Sequence, residues 1–358
     1  MKNNTMAKTT KITKPSNLTS SGSEDNDSLE SVLSERIEHT AIIGADLSGL
    51  RFDQIAAKVF PDYSRGKLQT WINSGELTVN GKTAKTRQKL FSGAELRLSA
   101  EFSRASEWQA EDKSINIVFE DEHLLVINKA DNCVVHPAPG LQSGTLVNSI
   151  LAHCPSNAAL PRAGIVHRLD KDTTGLIMVA KSLIAHTSLV RQLQARSVSR
   201  IYRAVVRGTF ISGGTIDAAM ARHPSARTKM AVASNANSHG AKPAITHYRI
   251  AERFQHHNEL TIKLETGRTH QIRVHMAHLK RPLVGDKTYN PRYQKIAGIS
   301  ETLDSALRSF PRQALHAFEL AFDHPVTEQR CNFQCEAPAD YQQLIQSLRD
   351  EENRQKNE

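Results

Sequence analysis

Eight apolar runs of strand length occupy the chain beyond residue 114: INIVFED (115–121), LLVINK (124–129), GIVHR (164–168), LIMVAK (176–181), RIYRAVVRG (200–208), ITHYRIAERF (245–254), ELTIKLETG (259–267) and ALHAFELAF (314–322). Helical periodicity is confined to four stretches, near 145–153, 183–196, 270–279 and 338–349. A doubly wound parallel sheet needs a helix between each pair of strands. Here strands succeed one another directly as often as they alternate with helices, so the order predicts an α+β domain on a mixed, largely antiparallel sheet. There is no repeat at a fixed period.

Ahead of these runs, LRFDQIAAKVF (50–60) places Phe52, Ile55, Ala56 and Val59 on one helical face. A second helix is expected in SRGKLQTWINSG, with Ser64 as N-cap, Leu68, Trp71 and Ile72 as its apolar stripe, and Gly75 as its stop. In ELTVNGKTAK, Asn80-Gly81 predicts a type I′ hairpin turn between short strands. Residues 51–100 hold nine Lys or Arg against four Asp or Glu, and Arg65, Lys67, Lys82, Lys85, Arg87 and Lys89 fall where one cationic surface could form. GKLQTWINSGELTVNGKTAK resembles the S4 RNA-binding domain, which implies that Arg65, Lys67, Lys82, Lys85 and Lys89 meet RNA phosphate. GELTVNGKT is not a nucleotide loop, because five residues instead of four separate its glycines and a hairpin carries it. The expected organisation is a disordered extension (1–38), an S4 domain (39–100), a linker (101–113), a catalytic domain (114–340), and a C-terminal helix and solvated tail (341–358).

Composition narrows the function classes. A net charge of +9 points to a polyanionic partner. No apolar run is long enough for a membrane span, and the N-terminus lacks the apolar core of a secretory signal. Four cysteines in 358 residues fit a reducing compartment, and a cytoplasmic location is expected. Cys331 and Cys335 share one face of a strand-like segment. Sixteen histidines form neither an H-E-x-x-H nor a C-x-x-C pattern, so neither a metal nor another cofactor is expected.

Between two apolar runs lies GIVHRLDKDTTGL, with His167, Arg168, Asp170, Lys171 and Asp172 in succession. A solvated turn is the ordinary reading of a lone Asp. The alternative is a carboxylate presented to a cleft, with Thr173 and Thr174 hydroxyls fixing it and a cation keeping it ionised. LETGRTHQIRVHMAH (264–278) offers that cation, Arg273, on a helix that Thr269 can cap, with Arg268 just before it. RIYRAVV adds Tyr202 among apolar neighbours. HRLDKD is not a kinase loop, since neither a Gly-rich phosphate loop nor D-F-G accompanies it, and Asp172 lies too close to Asp170 to be the opposed acid of a glycosidase.

Taken together, His167-Arg168-Leu169-Asp170 with Thr173-Thr174-Gly175, Tyr202 with Ala204, and Gly267 through His275 resemble the RluA family of pseudouridine synthases. VINKADNCVVHP (126–137) is similar to a further family segment, departing from it at Ala130 and Asn132. The resemblance spans about residues 39–340 and implies Asp170 as the nucleophilic carboxylate, Arg273 as its ion-pair partner and Tyr202 as the residue stacked on uracil. It implies that Arg168 enters the space vacated by a flipped base, and that His167 and Arg268 lie along the RNA path. The likeness is strongest to members acting on the large ribosomal subunit. The implied partner is therefore 23S rRNA, at its helix 69 stem-loop, or an immature large subunit, met by a monomer without cofactor. Two rivals stand beside this reading: the same chemistry on another rRNA helix or on tRNA, and a non-catalytic RNA-binding assembly factor.

Overall fold

The computed structural model describes residues 34–61, 63, 65–103, 108–137, 141–226, 229–234 and 240–357, so Ser64, most of the N-terminal extension and part of the expected linker lie outside the described residues. The chain divides into two compact units, Met1–Glu107 and Trp108–Glu358.

In the first unit, strand β1 (Ser34–Ile42) leads through a short 3₁₀ turn to helices α1 (Phe52–Val59) and α2 (Arg65–Ser74). Strands β2 (Leu77–Val79) and β3 (Glu95–Ser103) follow, and β3 lies between β1 and β2, antiparallel to both. Phe52 and Ile55 of α1 and Leu68, Trp71 and Ile72 of α2 form one buried cluster with Leu77, Leu96 and Leu98 of the sheet. Gly75 ends α2 at φ +85°, where a Cβ is disfavoured. Asn80 and Gly81 have φ of 49° and 71°, and Val79 and Lys82 exchange backbone hydrogen bonds of 2.9 and 3.0 Å, as a type I′ turn requires. The expected second hairpin strand is only the bridge at Lys82, because β2 takes β3 as its ladder partner. Two boundaries also differ from expectation. β1 begins within the expected extension, and β3 continues into the expected linker, each residue of one pairing with the other from Ser34 opposite Ser103 to Ile42 opposite Glu95.

The second unit contains strands β4 (Ile117–Glu120), β5 (Leu124–Lys129), β6 (Thr174–Ala180), β7 (Ser199–Arg207), β8 (Gly214–Asp217), β9 (Met220–Arg222), β10 (Met230–Val232), β11 (Ile245–Arg253), β12 (His257–Leu264), β13 (Leu315–Asp323) and β14 (Arg330–Gln334). Its helices are α3 (Leu146–His153), α4 (Leu183–Gln194), α5 (Gln271–His278), α6 (Glu301–Ser309) and α7 (Ala339–Asn357). Nine strands form one sheet in the order β4-β5-β6-β13-β7-β12-β11-β8, with β14 added to β13, while β9 and β10 form a separate ribbon. Every pair in the large sheet is antiparallel except β6 with β13, giving the mixed α+β architecture that the strand order predicted.

Alternation along the strands assigns side chains to faces. Ile177 and Val179 of β6, and Ala204 and Val206 of β7, join one cluster with Val147 and Ile150 of α3 and Ile272 and Met276 of α5. Leu176 and Met178 join Ala185 and Leu189 of α4 on the other side, and Val205 joins α6 and α7. β6 is thus buried at every residue, which is why its sequence reads as a continuous apolar run.

GIVHR does not form the expected strand. Pro161–Gly164 make a 3₁₀ turn with Arg162 and Ala163 at positive φ, leaving only a bridge from Ile165 to Val179, so Asp170 precedes a strand rather than following one. The expected solvated tail is the last part of α7. Glu351 is buried there, accepting from the Ser300 backbone at 3.2 Å and from Arg354 at 2.7 Å. The C-terminal helix packs Tyr341, Leu344 and Leu348 into the second unit and is not a separate appendage.

Gly175 makes the single parallel pairing possible. It has φ +109°, and a Cβ there would stand 2.3 Å from the Ala317 carbonyl oxygen. Gly175→Ala is expected to lower the unfolding free energy by about 3 kcal/mol or more. Gly298→Ala, at φ +81° but with no atom within 4 Å, should lose only about 1 kcal/mol. Urea unfolding of the two variants checks the difference.

Candidate active site

Asp170 sits in the turn before β6, where its backbone carbonyl accepts the Thr173 N–H at 3.1 Å. Its carboxylate lies on the wall of a cavity of about 740 Å³ lined by the 162–173 segment, β7, the end of β12 and α5. Arg162, Arg168, Arg196, Arg200, Arg268 and Arg273 line the cavity against two acids, Asp170 and Glu265. Such a surface suits a polyanion.

Arg273 projects from α5, and its Nη1 donates to Asp170 Oδ2 at 3.0 Å. Nε and Nη2 of the same guanidinium bond both oxygens of Asp286, at 2.8 and 2.9 Å. Asp286 is fully buried and also accepts from the backbone N–H groups of Thr288 and Tyr289. Burial opposes the charge on Arg273, but its two carboxylate partners outweigh this and raise its pKa further. The guanidinium is therefore fixed on one side and presents its remaining face to Asp170.

His270 adds a second group. It is left-handed at φ 58°, in the N-cap position expected for Thr269, which does not cap the helix. Tyr289 Oη accepts from the Met230 N–H at 3.0 Å and forms a hydrogen bond with His270 Nδ1 at 2.9 Å. The other ring nitrogen, Nε2, stands 4.0 Å from Asp170 Oδ1. Burial, opposed by Asp170, lowers the pKa of His270.

Tyr202, on β7, is 6% exposed and lines the cavity, and among the described residues its hydroxyl has no hydrogen-bond partner. Burial raises its pKa. Arg168 is exposed at the rim. Arg268 also lines the cavity, its Nε donating to the Pro243 carbonyl at 3.1 Å. His167 turns inward: its Nε2 accepts the Met178 N–H at 3.0 Å, and burial pushes its pKa down to about 3. It holds the loop to β6 as a neutral ring. Asp170, Tyr202, Arg273, Arg168, His167 and Arg268 therefore meet around one cavity.

The other expected RNA-contacting residues belong to the first unit. Lys82, Lys85 and Lys89 are exposed, Lys67 lies 5.3 Å over the Trp71 ring, and Arg65 is committed to buried Asp53 at 2.6 Å.

One expectation is corrected here. The Thr173 and Thr174 hydroxyls do not fix the Asp170 carboxylate. Both are buried, Thr173 accepting from Gln313 just before β13 at 3.1 Å and Thr174 bonding His316 within β13 at 2.9 Å. The backbone of the turn is held instead by Lys129, which is 1% exposed and donates to the carbonyls of Ala130, Cys133 and Lys171 at 2.7, 2.9 and 2.9 Å. Burial lowers its pKa to about 8. Sequence reasoning missed Lys129, Asp286 and Tyr289, although the NK of VINKAD and the GD of PLVGD carry the first two. Outside the cavity, Glu120, His153 and Cys154 place possible ligand atoms within 4.8 Å of one another, but the Lys181 ammonium already stands 2.7 Å from Glu120.

Comparison with known proteins adds to this geometry. Residues 123–278 match the RNA pseudouridylate synthase family. The chain is 53% identical over 317 residues to ribosomal large subunit pseudouridine synthase D of Pseudomonas aeruginosa, covering 88% of this chain and 98% of that one. Its identity to the Vibrio vulnificus protein of the same name is 45%, covering 88% and 96%. Among solved structures, human RNA pseudouridylate synthase domain containing 4 is similar at 25% identity with a TM-score of 0.52, covering 65% of this chain and 93% of that one. The chain belongs to the RluA family of RNA pseudouridine synthases.

Two measurements check the site's physics. Arg273→Met leaves Asp286 buried and unpaired and is expected to lower unfolding free energy by about 3–5 kcal/mol, part of which Asp286→Asn in the same chain restores. The folded-state pKa of His167, about 3, lies below that of a free imidazole, so its contribution is complete above pH ~6.5 and is lost as pH falls toward 3. His167→Gln keeps the acceptor and should remove up to one proton, about 1.4 kcal/mol per pH unit, from the acid-side slope of stability.

Proposed function

We propose that this protein converts uridines in the helix 69 stem-loop of 23S rRNA to pseudouridine, acting as a cytoplasmic monomer on the rRNA or on an immature large subunit. The observation that carries the reading is a carboxylate, Asp170, paired at 3.0 Å with a buried guanidinium inside a cationic cavity. A pure RNA binder has no use for that pair. The names of the relatives at 53% and 45% identity support the rRNA target.

The reaction breaks the N1–C1′ bond of uridine, turns the base and rejoins it through C5, with no net redox change and no group donor. Asp170 supplies the carboxylate. By one route its oxygen attacks C1′ as uracil departs with the N1 electron pair. By the other it removes the 2′ hydrogen to leave a glycal. Arg273 keeps Asp170 ionised and aimed. Tyr202 stacks on the base and takes part in removing the C5 proton after rejoining. The target base leaves its stack first, and Arg168 at the rim fills the space it vacates.

Residues 39–100 are read as an S4 domain. Two short helices followed by a turn with exposed Lys82, Lys85 and Lys89 support this, and these lysines would contact RNA phosphate along with Lys67 and the exposed part of Arg65.

Carbodiimide-probed primer extension across 23S rRNA and tRNA, with no cofactor added, tests the reading. Wild-type protein should give new stops in the helix 69 loop, and Asp170→Asn should reduce them at least ~10³-fold. Stops elsewhere that still need Asp170 would keep the chemistry and overturn the target. Tight binding without stops on rRNA or on immature subunits would favour a binding-only factor.

A further inference from the structure

Arg200 is the cavity's unexplained charge. It lies two residues before Tyr202 on β7 and therefore on the same face of the strand. It is 9% exposed and lines the cavity that holds Asp170 and Tyr202. A guanidinium carries five N–H donors. One of them, on Nη2, reaches the Glu265 carbonyl at a long 3.3 Å, and the buried Nε has no partner. No carboxylate among the described residues stands within 4.0 Å of it, the Glu265 side chain being taken by His247 and Arg196. Space for the group is kept by Gly267, where a Cβ would stand 2.6 Å from Arg200 Nη1. Its charge is felt at Tyr202, where it opposes the upward shift that burial causes.

A buried cation without a counter-ion is costly to keep, so its counter-charge is expected from a ligand. Phosphates need not reach it, because the exposed Arg162 and Arg196 stand at the rim to receive them. The base enters deeper, toward Tyr202. Both routes of the proposed reaction release uracil with the N1–C1′ electron pair. The detached base is then an anion whose charge spreads to its carbonyl oxygens, until C5 re-forms the bond to C1′ and loses its proton. We infer that Arg200 is a catalytic residue that hydrogen-bonds the detached uracil anion and lowers the barrier to its departure. This rests on the pseudouridine synthase reading. It places in the cavity the electrostatic stabiliser that a departing anion requires.

The test uses full-length protein and the RNA on which wild type makes pseudouridine. Arg200→Met should lower kcat at least ~100-fold with KM within about threefold of wild type. Gly267→Ala, which displaces the guanidinium without removing it, should lower kcat in the same sense. The specific readout is the leaving group. With 5-fluorouridine at the target, the departing base is more acidic and needs less help. Loss of 5-fluorouridine from nuclease digests should then show a wild-type to Arg200→Met rate ratio at least ~10-fold smaller than for uridine. A raised KM with unchanged kcat would make Arg200 a phosphate anchor and overturn the inference. An equal ratio for the two bases would overturn it too. If Arg200→Met does not fold, Gly267→Ala and its response to 5-fluorouridine decide alone. Wild-type protein inactive on every RNA would sink the enzymatic reading itself, whereas active wild type with unchanged variants rejects Arg200 alone.

Discussion

The Arg273 guanidinium lies between two carboxylates, and the site depends on the inequality of those two partners. Asp286 is fully buried and grips it through two nitrogens, while Asp170 takes the third at the cavity wall. An Asp–Arg pair alone could swing as a unit. Anchored by a second acid, the guanidinium becomes a fixed feature of α5 and gives Asp170 one preferred orientation. The same chain of contacts explains Tyr289, whose ring lies 5.2 Å from the Arg273 guanidinium and whose hydroxyl orients His270.

The backbone beneath Asp170 is fixed with equal redundancy. Lys129 holds the Lys171 carbonyl, His167 ties the loop to β6, and Gln313 holds the Thr173 hydroxyl. Arg312, itself paired with Asp340 at the start of α7, reaches the Asp172 carbonyl at 3.4 Å. Three side chains from two distant places in the sequence, Lys129 and the Arg312-Gln313 pair, converge on residues 167–173, and His167 ties the loop to β6 from within. A loop so held pays little reorganisation when a substrate arrives.

What could be read from the sequence was local. Asp170, Tyr202 and Arg273 stand in contiguous motifs, and each motif implies its chemistry through residue types a few positions apart. The strand order predicted the mixed sheet, and the apolar run LIMVAK predicted the strand β6, which the structure buries at every residue. What could not be read was pairing at a distance. Nothing near Arg273 shows that Asp286 is its second partner, or that Lys129 serves the turn at Lys171, because each contact is made by the fold. GIVHR has strand propensity, but left-handed Arg162 and Ala163 remove it from the ladder. DEENRQKNE has the composition of a tail, yet one buried acid, Glu351, bonded to Ser300 and Arg354, keeps it helical.

The lone parallel pairing also governs the order in which the molecule can be completed. β6 lies beside β13, which the chain reaches about 140 residues later, so the strand that follows Asp170 waits for that neighbour through four intervening strands of the same sheet. The Arg312–Asp340 clamp comes later still. Contacts so remote in sequence are slow to form because the chain between their ends must first be gathered. During synthesis, the first unit leaves the ribosome well before the residues that close the Asp170 loop. The first unit can therefore be complete while the Asp170 loop is still open, and that loop acquires its final geometry only when the last helix has docked.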